Sequence, residues 1–215
     1  MKLYAISGLG ADERVFQYLT LDYELIPVQW IKPKQNEGIS PYAARLAKKI
    51  DESEPFGLIA VSFGGLVAVE ISKILSPEVT ILISSAETKH ELPKIYRIIG
   101  KSNLIRLVPH QLFNPPRKVA SWVFGTTNHA LLKNILDDTD LKFTKWAINE
   151  LTNWSNEEGL ANHKLKIGGT NDKLIPPRGK LTLIEGGGHF MIVDKALEIS
   201  EVINQCLKTW KSKDR

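Results

Sequence analysis

The first 86 residues alternate short apolar runs with segments of helical periodicity. Strands are predicted at KLYAIS (2–7), YELIPVQWI (23–31), FGLIAV (56–61) and VTILISS (79–85). Helical spacing predicts helices between them, at 12–19, at about 40–50 and at 64–75. The third and fourth strands are apolar at nearly every position, which is typical of central parallel strands buried on both faces. The pattern therefore favours an α/β fold, with a parallel sheet covered by helices on both sides.

Two helix starts carry a local capping signal. Ser40 is a favourable N-cap and Pro41 suits the first helical position, so the second helix is predicted to begin there. Asp140 precedes the amphipathic run LKFTKWAINELTNW and is predicted to cap that helix. Both predictions rest on neighbouring residues alone.

From about residue 87 to residue 159 the strand pattern disappears. Helical segments broken by prolines replace it over about seventy residues, which is typical of a lid or cap inserted into a sheet. Strand alternation then resumes, and two strands are predicted at HKLKIGG (163–169) and LTLIEGGGH (181–189). A last helix is predicted at about 195–210. We predict a single domain over 1–215, in which 1–86 and 160–215 form the core and 87–159 form a helical cap.

Composition excludes several classes of function. The chain has 28 Lys and Arg against 24 Asp and Glu, and the net charge of +4 comes from scattered residues. Nucleic-acid binding usually requires clustered basic residues with interleaved aromatics, so we expect no nucleic-acid partner. No apolar run reaches the ~18 residues of a membrane span and the first residues lack a secretory signal, so we expect a cytoplasmic protein with no membrane partner. The single Cys206 excludes an intrachain disulfide.

The segment LIAVSFGGLVAV (58–69) places one hydroxyl, that of Ser62, between a buried strand and the helix that follows. Ligands in open α/β sheets bind beyond the carboxyl ends of the strands, where Ser62 is expected to lie. A sharp strand-to-helix turn needs small residues two before and two after its tip, and here these are Ala60 and Gly64. The helix N-terminus directs free N–H groups toward an oxyanion at this point. Ser62 is a candidate nucleophile, with a simple helix cap as the alternative.

A serine nucleophile needs a base, normally a histidine that a carboxylate orients. His189 is the candidate base, because the three glycines of GGGHFM let the chain turn back toward the same sheet edge. Asp172 in IGGTNDKLIP is the candidate acid, with a turn aspartate as the alternative. Glu87, just after the fourth strand, is the competing carboxylate. The other histidines are expected to be surface or packing residues: His90, His110, His129 and His163.

The first turn, ISGLGAD (6–12), is a candidate source of a backbone hydrogen-bond donor. It follows the first strand, so it is expected to lie beside the serine at the carboxyl edge of the sheet. Gly8 belongs to this turn, and the N–H groups of Leu9 and Phe63 form a candidate oxyanion hole, in which one donor typically contributes ~10²–10³ in rate. A dinucleotide site is the alternative, but Glu13 stands where its third glycine would be.

These segments together resemble the α/β-hydrolase superfamily, whose members follow the chain order serine, acid, histidine. The likeness covers nearly the whole chain: SGLG, AVSFGG, the helical insertion, GGTNDKLIP and GGGHF. It is strongest to small bacterial hydrolases with a helical cap. The resemblance implies a three-layer α/β/α fold with a mostly parallel six-stranded sheet that lacks the family's two N-terminal strands. It also implies a set of site residues and no cofactor or metal: Ser62 as nucleophile, His189 as general base, Asp172 as acid, and Leu9 and Phe63 as oxyanion donors.

Three features depart from the family pattern. Ala60 replaces the usual glycine before the nucleophile, and Ser7 stands where many relatives have histidine. About a dozen residues join the last two strands, which is near the minimum for a parallel crossover. A turn is therefore expected to replace the helix that usually lies there.

The leading hypothesis is a serine hydrolase that cleaves a carboxylic ester or thioester of a small acyl substrate through an acyl-enzyme. Aromatic residues of the insertion are candidates for an apolar lid, with packing inside the cap as the alternative: Trp122, Phe124, Phe143, Trp146 and Trp154. Fold does not fix reaction, so two other classes stay open. One is a lyase or carbon–carbon bond-cleaving enzyme, similar to the menaquinone-pathway synthase, and the other is a non-catalytic ligand receptor.

Overall fold

A computed structural model describes the backbone of residues 1–213 and the side chains of residues 1–210. Its strands are β1 (Lys2–Ile6), β2 (Leu25–Pro27), β3 (Phe56–Val61), β4 (Val79–Ile83), β5 (His163–Gly169) and β6 (Thr182–Ile184). They form one sheet in the order β2-β1-β3-β4-β5-β6, and each neighbouring pair is parallel. The predicted six-stranded sheet is confirmed, with parallel pairing throughout.

Helices cover this sheet and fill the connection between β4 and β5. The α-helices are α1 (Ile39–Ala47), α2 (Phe63–Ser72), α3 (Lys94–Ser102), α4 (Leu104–Leu107), α5 (Arg117–Phe124), α6 (His129–Asp138), α7 (Leu141–Asn153), α8 (Met191–Asp194) and α9 (Ala196–Lys213). Two 3₁₀ helices are Glu13–Tyr18 and His110–Phe113. Helices α3 to α7 all fall inside the insertion predicted at 87–159.

Side chains that alternate along the central strands enter two separate cores, one on each face of the sheet. On β3, Leu58 and Ala60 belong to the core beneath α1 and α2. Ile59 and Val61 belong to the opposite core, which includes buried residues of α8 and α9. The three-layer α/β/α arrangement is therefore confirmed. Because both faces are covered, all six residues of β3 are buried.

Several predicted elements begin or end at other residues in the structure, and two of these differences are informative. The second strand is only three residues long instead of spanning 23–31, because it is an edge strand that pairs with β1 alone. Helix α1 starts at Ile39 with Gly38 at its N-cap, so the prediction that Ser40 caps it is wrong. Asp140 does cap α7, and it accepts hydrogen bonds from the N–H groups of the second and third helical residues.

The connection between β5 and β6 contains a turn and no helix, as its short length predicts. The longest helix, α9, is amphipathic, and Ile199, Ile203 and Leu207 are buried against the sheet. Within the described part of the chain, no helix combines the length and the apolar character needed to cross a membrane.

Candidate functional site

Ser62 forms the tip of a sharp turn between β3 and α2, at the carboxyl edge of the sheet. Its backbone has φ 53° and ψ −125°, a strained conformation for a residue with a side chain. A Cβ atom on Gly64 would lie 2.1 Å from the carbonyl oxygen of Ser7, so only glycine fits where α2 begins. Although Ser62 occupies the N-cap position, its side chain makes no capping hydrogen bond. The helix-cap alternative therefore does not account for this serine.

The side chains of Ser62, His189 and Asp172 form a continuous hydrogen-bonded chain. Ser62 Oγ lies 2.8 Å from His189 Nε2, and His189 Nδ1 lies 3.0 and 2.9 Å from the two carboxylate oxygens of Asp172. The imidazole is 5% exposed, and the carboxylate is fully buried. The structure thus brings together three residues that are separated by 110 and 17 positions along the chain.

The turn after β5 fixes the orientation of Asp172. Its Oδ1 atom accepts hydrogen bonds from the backbone N–H groups of Leu174 and Ile175, each at 2.9 Å. The hydroxyl of Tyr96 on α3 donates to the carbonyl oxygen of Leu174 at 2.7 Å. Burial, together with the negative charge of Asp172, raises the pKa of Tyr96 to about 12, so this phenol stays protonated and remains a donor. A cap helix thus supports the turn that carries the carboxylate.

The loop that carries His189 is attached to the cap as well. The N–H group of Phe190 donates to the carbonyl oxygen of Phe124 at the end of α5, at 3.0 Å. A Cβ atom on Gly188 would lie 2.6 Å from the carbonyl oxygen of Gly125, so the close approach of loop and helix requires glycine. The rings of Phe124 and His189 are 5.7 Å apart. The sequence shows the glycines but gives no sign that α5 is their partner.

The competing carboxylate, Glu87, lies away from the imidazole. It is buried, ion-pairs with Lys164, and accepts a hydrogen bond from the N–H group of Leu160 at 2.5 Å. Lys166 lies 3.5 Å from its second oxygen. Burial raises the pKa of Glu87, but the hydrogen bonds and positive charges around it outweigh burial and lower the pKa overall. Glu87 is part of an ion-pair cluster beneath the cap.

The turn after β1 lies directly against the serine. A Cβ atom on Gly8 would be 3.3 Å from the Cβ of Ser62. The N–H groups of Leu9 and Phe63 make no backbone hydrogen bond among the residues that the structure describes, and both residues line the cavity that Ser62 enters. These two donors are therefore available to an oxygen atom beside Ser62.

A hydrogen bond that the sequence does not reveal holds this turn in place. The Ser7 hydroxyl donates to the carbonyl oxygen of Ala11 at 2.8 Å and accepts from Trp30 Nε1 at 2.9 Å. Ser7 thus closes the turn and ties it to the aromatic cluster beneath α7, in which the Trp30 and Phe143 rings are 5.2 Å apart. Sequence reasoning placed Trp30 in a strand and missed its contact with the turn.

A cavity of about 450 Å³ opens above Ser62 and His189. One face of α7 lines it over the length of that helix, with residues at helical spacing: Leu141, Thr144, Ile148, Leu151 and Thr152. The inner sides of α3, α4 and α5 contribute further apolar side chains, among them Ile99, Ile105 and Val123. No Lys, Arg, Asp or Glu is among the residues that line this cavity in the described part of the chain.

Of the five aromatic residues proposed for an apolar lid, only Phe124 lines the cavity. Phe143 and Trp146 pack on Tyr42 at ring distances of 6.4 and 4.4 Å, so they belong to the support of α7. The indole N–H of Trp154 donates to Glu70 at 2.9 Å, and Trp122 is exposed with Lys173 over its ring. Packing against other side chains, the alternative to an apolar lid, therefore describes most of these aromatic residues.

Over the described residues, no group of three or more His, Cys, Asp or Glu side chains is arranged to hold a metal ion.

Comparison with known proteins gives a likeness in structure. No protein-family model and no curated protein sequence matches the chain. It is similar to MenH from S. aureus, with a TM-score of 0.73 and 17% identity over 98% of this chain and 94% of that one. A lipase-esterase related protein from Clostridium acetobutylicum has a TM-score of 0.71 and 16% identity, with coverages of 95% and 93%. A thermophilic esterase from Thermogutta terrifontis has a TM-score of 0.69 and 13% identity, with coverages of 98% and 90%.

Proposed function

Since the chain has the α/β-hydrolase fold, we propose that it is a serine hydrolase that cleaves a carboxylic ester or thioester through an acyl-enzyme. The observation that carries the proposal is the hydrogen-bonded chain from Ser62 through His189 to Asp172 at the floor of an apolar cavity. In this proposal Ser62 is the nucleophile, His189 the general base and Asp172 the orienting acid.

The hydrogen bonds of the site support one direction of proton transfer. An ionised carboxylate only accepts hydrogen bonds, so Asp172 keeps the imidazole proton on Nδ1 and leaves Nε2 as the acceptor. The Ser62 hydroxyl donates to Nε2, and its proton moves there as Oγ attacks the carbonyl carbon of the substrate. The oxyanion that forms accepts hydrogen bonds from the N–H groups of Leu9 and Phe63.

The protonated imidazole then completes the reaction. Nε2–H of His189 donates its proton to the leaving alkoxide or thiolate as the carbon–oxygen or carbon–sulfur bond breaks, which leaves an acyl group on Ser62. A water molecule loses a proton to the same nitrogen and attacks the acyl carbon. When the second tetrahedral intermediate collapses, Nε2–H returns its proton to Ser62 and the carboxylic acid departs.

The cavity supports an apolar acyl group as the part of the substrate that is bound. Its volume is within the range of small-molecule sites, and its lining consists mostly of aliphatic side chains with a few threonine hydroxyls. A charged acyl group would lose its hydration there without gaining an opposite charge from the lining. We therefore propose an ester or thioester whose acyl chain carries no charge.

Hydrolysis of p-nitrophenyl esters from acetate to dodecanoate tests this proposal, together with a succinate half-ester as the charged member. We expect turnover by the wild-type protein, a kcat/KM that rises with chain length, and poor turnover of the charged ester. Ser62→Ala and His189→Ala should each lower kcat by about 10⁴-fold or more. Ser72→Ala, a serine on the same helix, is the matched control and should leave the rate unchanged. Failure of the wild-type protein to hydrolyse any member would contradict the proposal and favour the lyase or receptor class.

A further inference from the structure

Large exposed apolar side chains are concentrated on the outer surface of the cap. Six of them come from three consecutive segments, α3, α4 and the 3₁₀ helix His110–Phe113, and one of the six, Ile99, lines the cavity. The other five are Ile95 (52% exposed), Ile98 (64%), Leu104 (59%), Leu107 (80%) and Leu112 (72%). We call these five residues the cap face. Monomeric proteins rarely expose so many neighbouring aliphatic side chains unless the surface binds something.

The three segments that carry the cap face share a packing partner. Helices α3 and α4 and the 3₁₀ helix all pack against α7. Their inward side chains, such as Tyr96, Ile105 and Phe113, line the cavity. The residues of the cap face come from the same three segments, but none of them lines the cavity and each is more than half exposed to solvent.

The segment of chain that carries the cap face has charges of a single sign. Between Glu91 and Asp137 the chain has seven Lys and Arg residues and no Asp or Glu, whereas the rest of the chain has 21 basic and 24 acidic residues. The net positive charge of the protein therefore comes from this segment. Lys94, Lys101 and Arg106 are exposed, and within the described residues none of them pairs with a carboxylate.

We propose that the cap face docks on an anionic lipid surface. Aliphatic side chains that project between basic residues are the pattern by which helices lie in a membrane interface, with the apolar groups among the acyl chains and the cations at the headgroups. A protein partner is less consistent with this surface, because Lys is depleted at protein–protein interfaces. The expectation of no membrane partner considered only segments that span a bilayer. The cap face, by contrast, would bind to the surface of a bilayer without crossing it. The inference does not depend on the proposed hydrolase activity.

Co-sedimentation of the full chain with lipid vesicles tests the apolar part of the proposal. We expect binding to phosphatidylcholine vesicles that contain one third phosphatidylglycerol, and much weaker binding to pure phosphatidylcholine. The double variant Ile98→Ser/Leu107→Ser should lower the partition coefficient by about tenfold or more, because two side chains no longer enter the lipid. Ile74→Ser/Leu197→Ser removes two similarly exposed side chains outside the cap and is the matched control, which should bind as the wild-type protein does.

Neutralising charge tests the electrostatic part. Lys94→Gln/Lys101→Gln should weaken binding to the anionic vesicles by about fivefold for each residue, and added salt should reduce the wild-type binding in the same direction. Lys48→Gln/Lys180→Gln, which removes two exposed charges elsewhere, is the control. None of the eight positions substituted in these four double variants lines the cavity, so turnover of a short soluble ester should be unchanged.

Several results would overturn the proposal. The first is no binding of the wild-type protein to anionic vesicles, and the second is equal binding by Ile98→Ser/Leu107→Ser once circular dichroism shows that the variant is folded. The third is a wild-type dimer in analytical ultracentrifugation that this variant converts to a monomer, because the cap face would then be a protein interface. Vesicle binding without ester turnover would leave this inference standing while the proposed function fails.

Discussion

Glu87 follows β4 and Asp172 follows β5, so both carboxylates lie beyond the same edge of the sheet on neighbouring strands. Both are buried, and each accepts a hydrogen bond from a backbone N–H group. Their charged neighbours differ. Glu87 lies between Lys164 and Lys166, whereas Asp172 forms its only ion pair with His189 among the described residues.

The difference shows that the neighbours of a carboxylate matter more than its place at the sheet edge. The two lysines project from alternate positions of β5 toward Glu87, and Lys166 also pairs with Glu91. Their positive charge offsets the negative charge of Glu87. These ion pairs hold the segment that leads from β4 into the cap against β5. No lysine in the described part of the chain forms an ion pair with Asp172, so the charge of Asp172 stays available to the imidazole, as the proposed mechanism requires.

The largest expected effect comes from Asp172→Asn. The amide keeps an oxygen for the N–H groups of Leu174 and Ile175, so the turn should remain intact. It removes the charge and the acceptor that hold the imidazole in the required tautomer, and kcat/KM for a p-nitrophenyl ester should fall by about 10⁴-fold. Glu87→Gln is the matched control and should change the rate by less than about threefold. Equal losses in the two variants would remove the distinction between the carboxylates.

Glu87→Gln should instead lower stability. The substitution leaves Lys164 without its partner and gives Lys166 only Glu91, so we expect the free energy of unfolding to decrease by about 1–3 kcal/mol. Urea unfolding followed by circular dichroism measures the change. The exposed Glu52→Gln serves as the control and should shift the free energy by less than about 0.5 kcal/mol. A Glu87→Gln protein as stable as the wild type would contradict the structural role.

The difference in unfolding free energy between the wild-type protein and Glu87→Gln should depend on pH, and the direction of the change follows from the pKa of Glu87. Because the folded state lowers the pKa of Glu87 below its ordinary value of 4.5, its contribution to stability is present above that pH. It is lost as the pH falls through the lower, folded-state pKa. The difference in unfolding free energy between wild type and Glu87→Gln should therefore be constant from pH 7 to pH 5 and shrink below about pH 4.5. A difference that grows in acid would have the wrong sign.

The smallest expected effect concerns the support of each carboxylate. Tyr96 donates to the carbonyl oxygen of Leu174 next to Asp172, whereas Asn156 donates to that of Glu87. Tyr96→Phe removes one hydrogen bond and keeps the ring, so kcat should fall about two- to tenfold while stability changes by about 1 kcal/mol or less. Asn156→Ala is the counterpart, with stability reduced and kcat unchanged. Steady-state kinetics and urea unfolding of both variants separate the two supports.

Sequence patterns predict the buried centre of this fold well. The third strand was predicted at 56–61 and spans Phe56–Val61, because its residues face protein on both sides and are apolar throughout. The two edge strands are shorter than predicted, since they pair on one side only and pairing ends before the apolar pattern does. Local composition thus predicts the ends of a strand best where the strand is paired on both sides and covered by protein on both faces.

The start of α1 depends on a residue far along the chain. The side chain of Glu150 on α7 accepts a hydrogen bond from the N–H group of Ile39 at 2.9 Å, so the helix begins without a local cap. Ser40, the predicted cap, donates its hydroxyl to Glu70 instead. No inspection of neighbouring residues reveals a partner 111 positions away.

The candidate site likewise has a part that the sequence predicts and a part that it does not. Its residues follow strands and glycine turns, so the positions of Ser62, Asp172 and His189 could be predicted from sequence. The contacts that hold them come from elsewhere: Tyr96 from α3, Phe124 from α5, and Trp30 from the segment after β2. These contacts depend on how the cap packs on the core, which no local pattern encodes.

The central claim is that the Ser62 hydroxyl is a nucleophile that His189 activates. A fluorophosphonate probe tests it directly, because Oγ displaces fluoride and forms a bond to phosphorus that mass spectrometry detects on the labelled peptide. We predict one adduct, on the peptide that contains Ser62, no adduct in Ser62→Ala, and a labelling rate at least about 10³-fold lower in His189→Ala. Labelling of another residue, or equal rates in the wild-type protein and His189→Ala, would contradict the account.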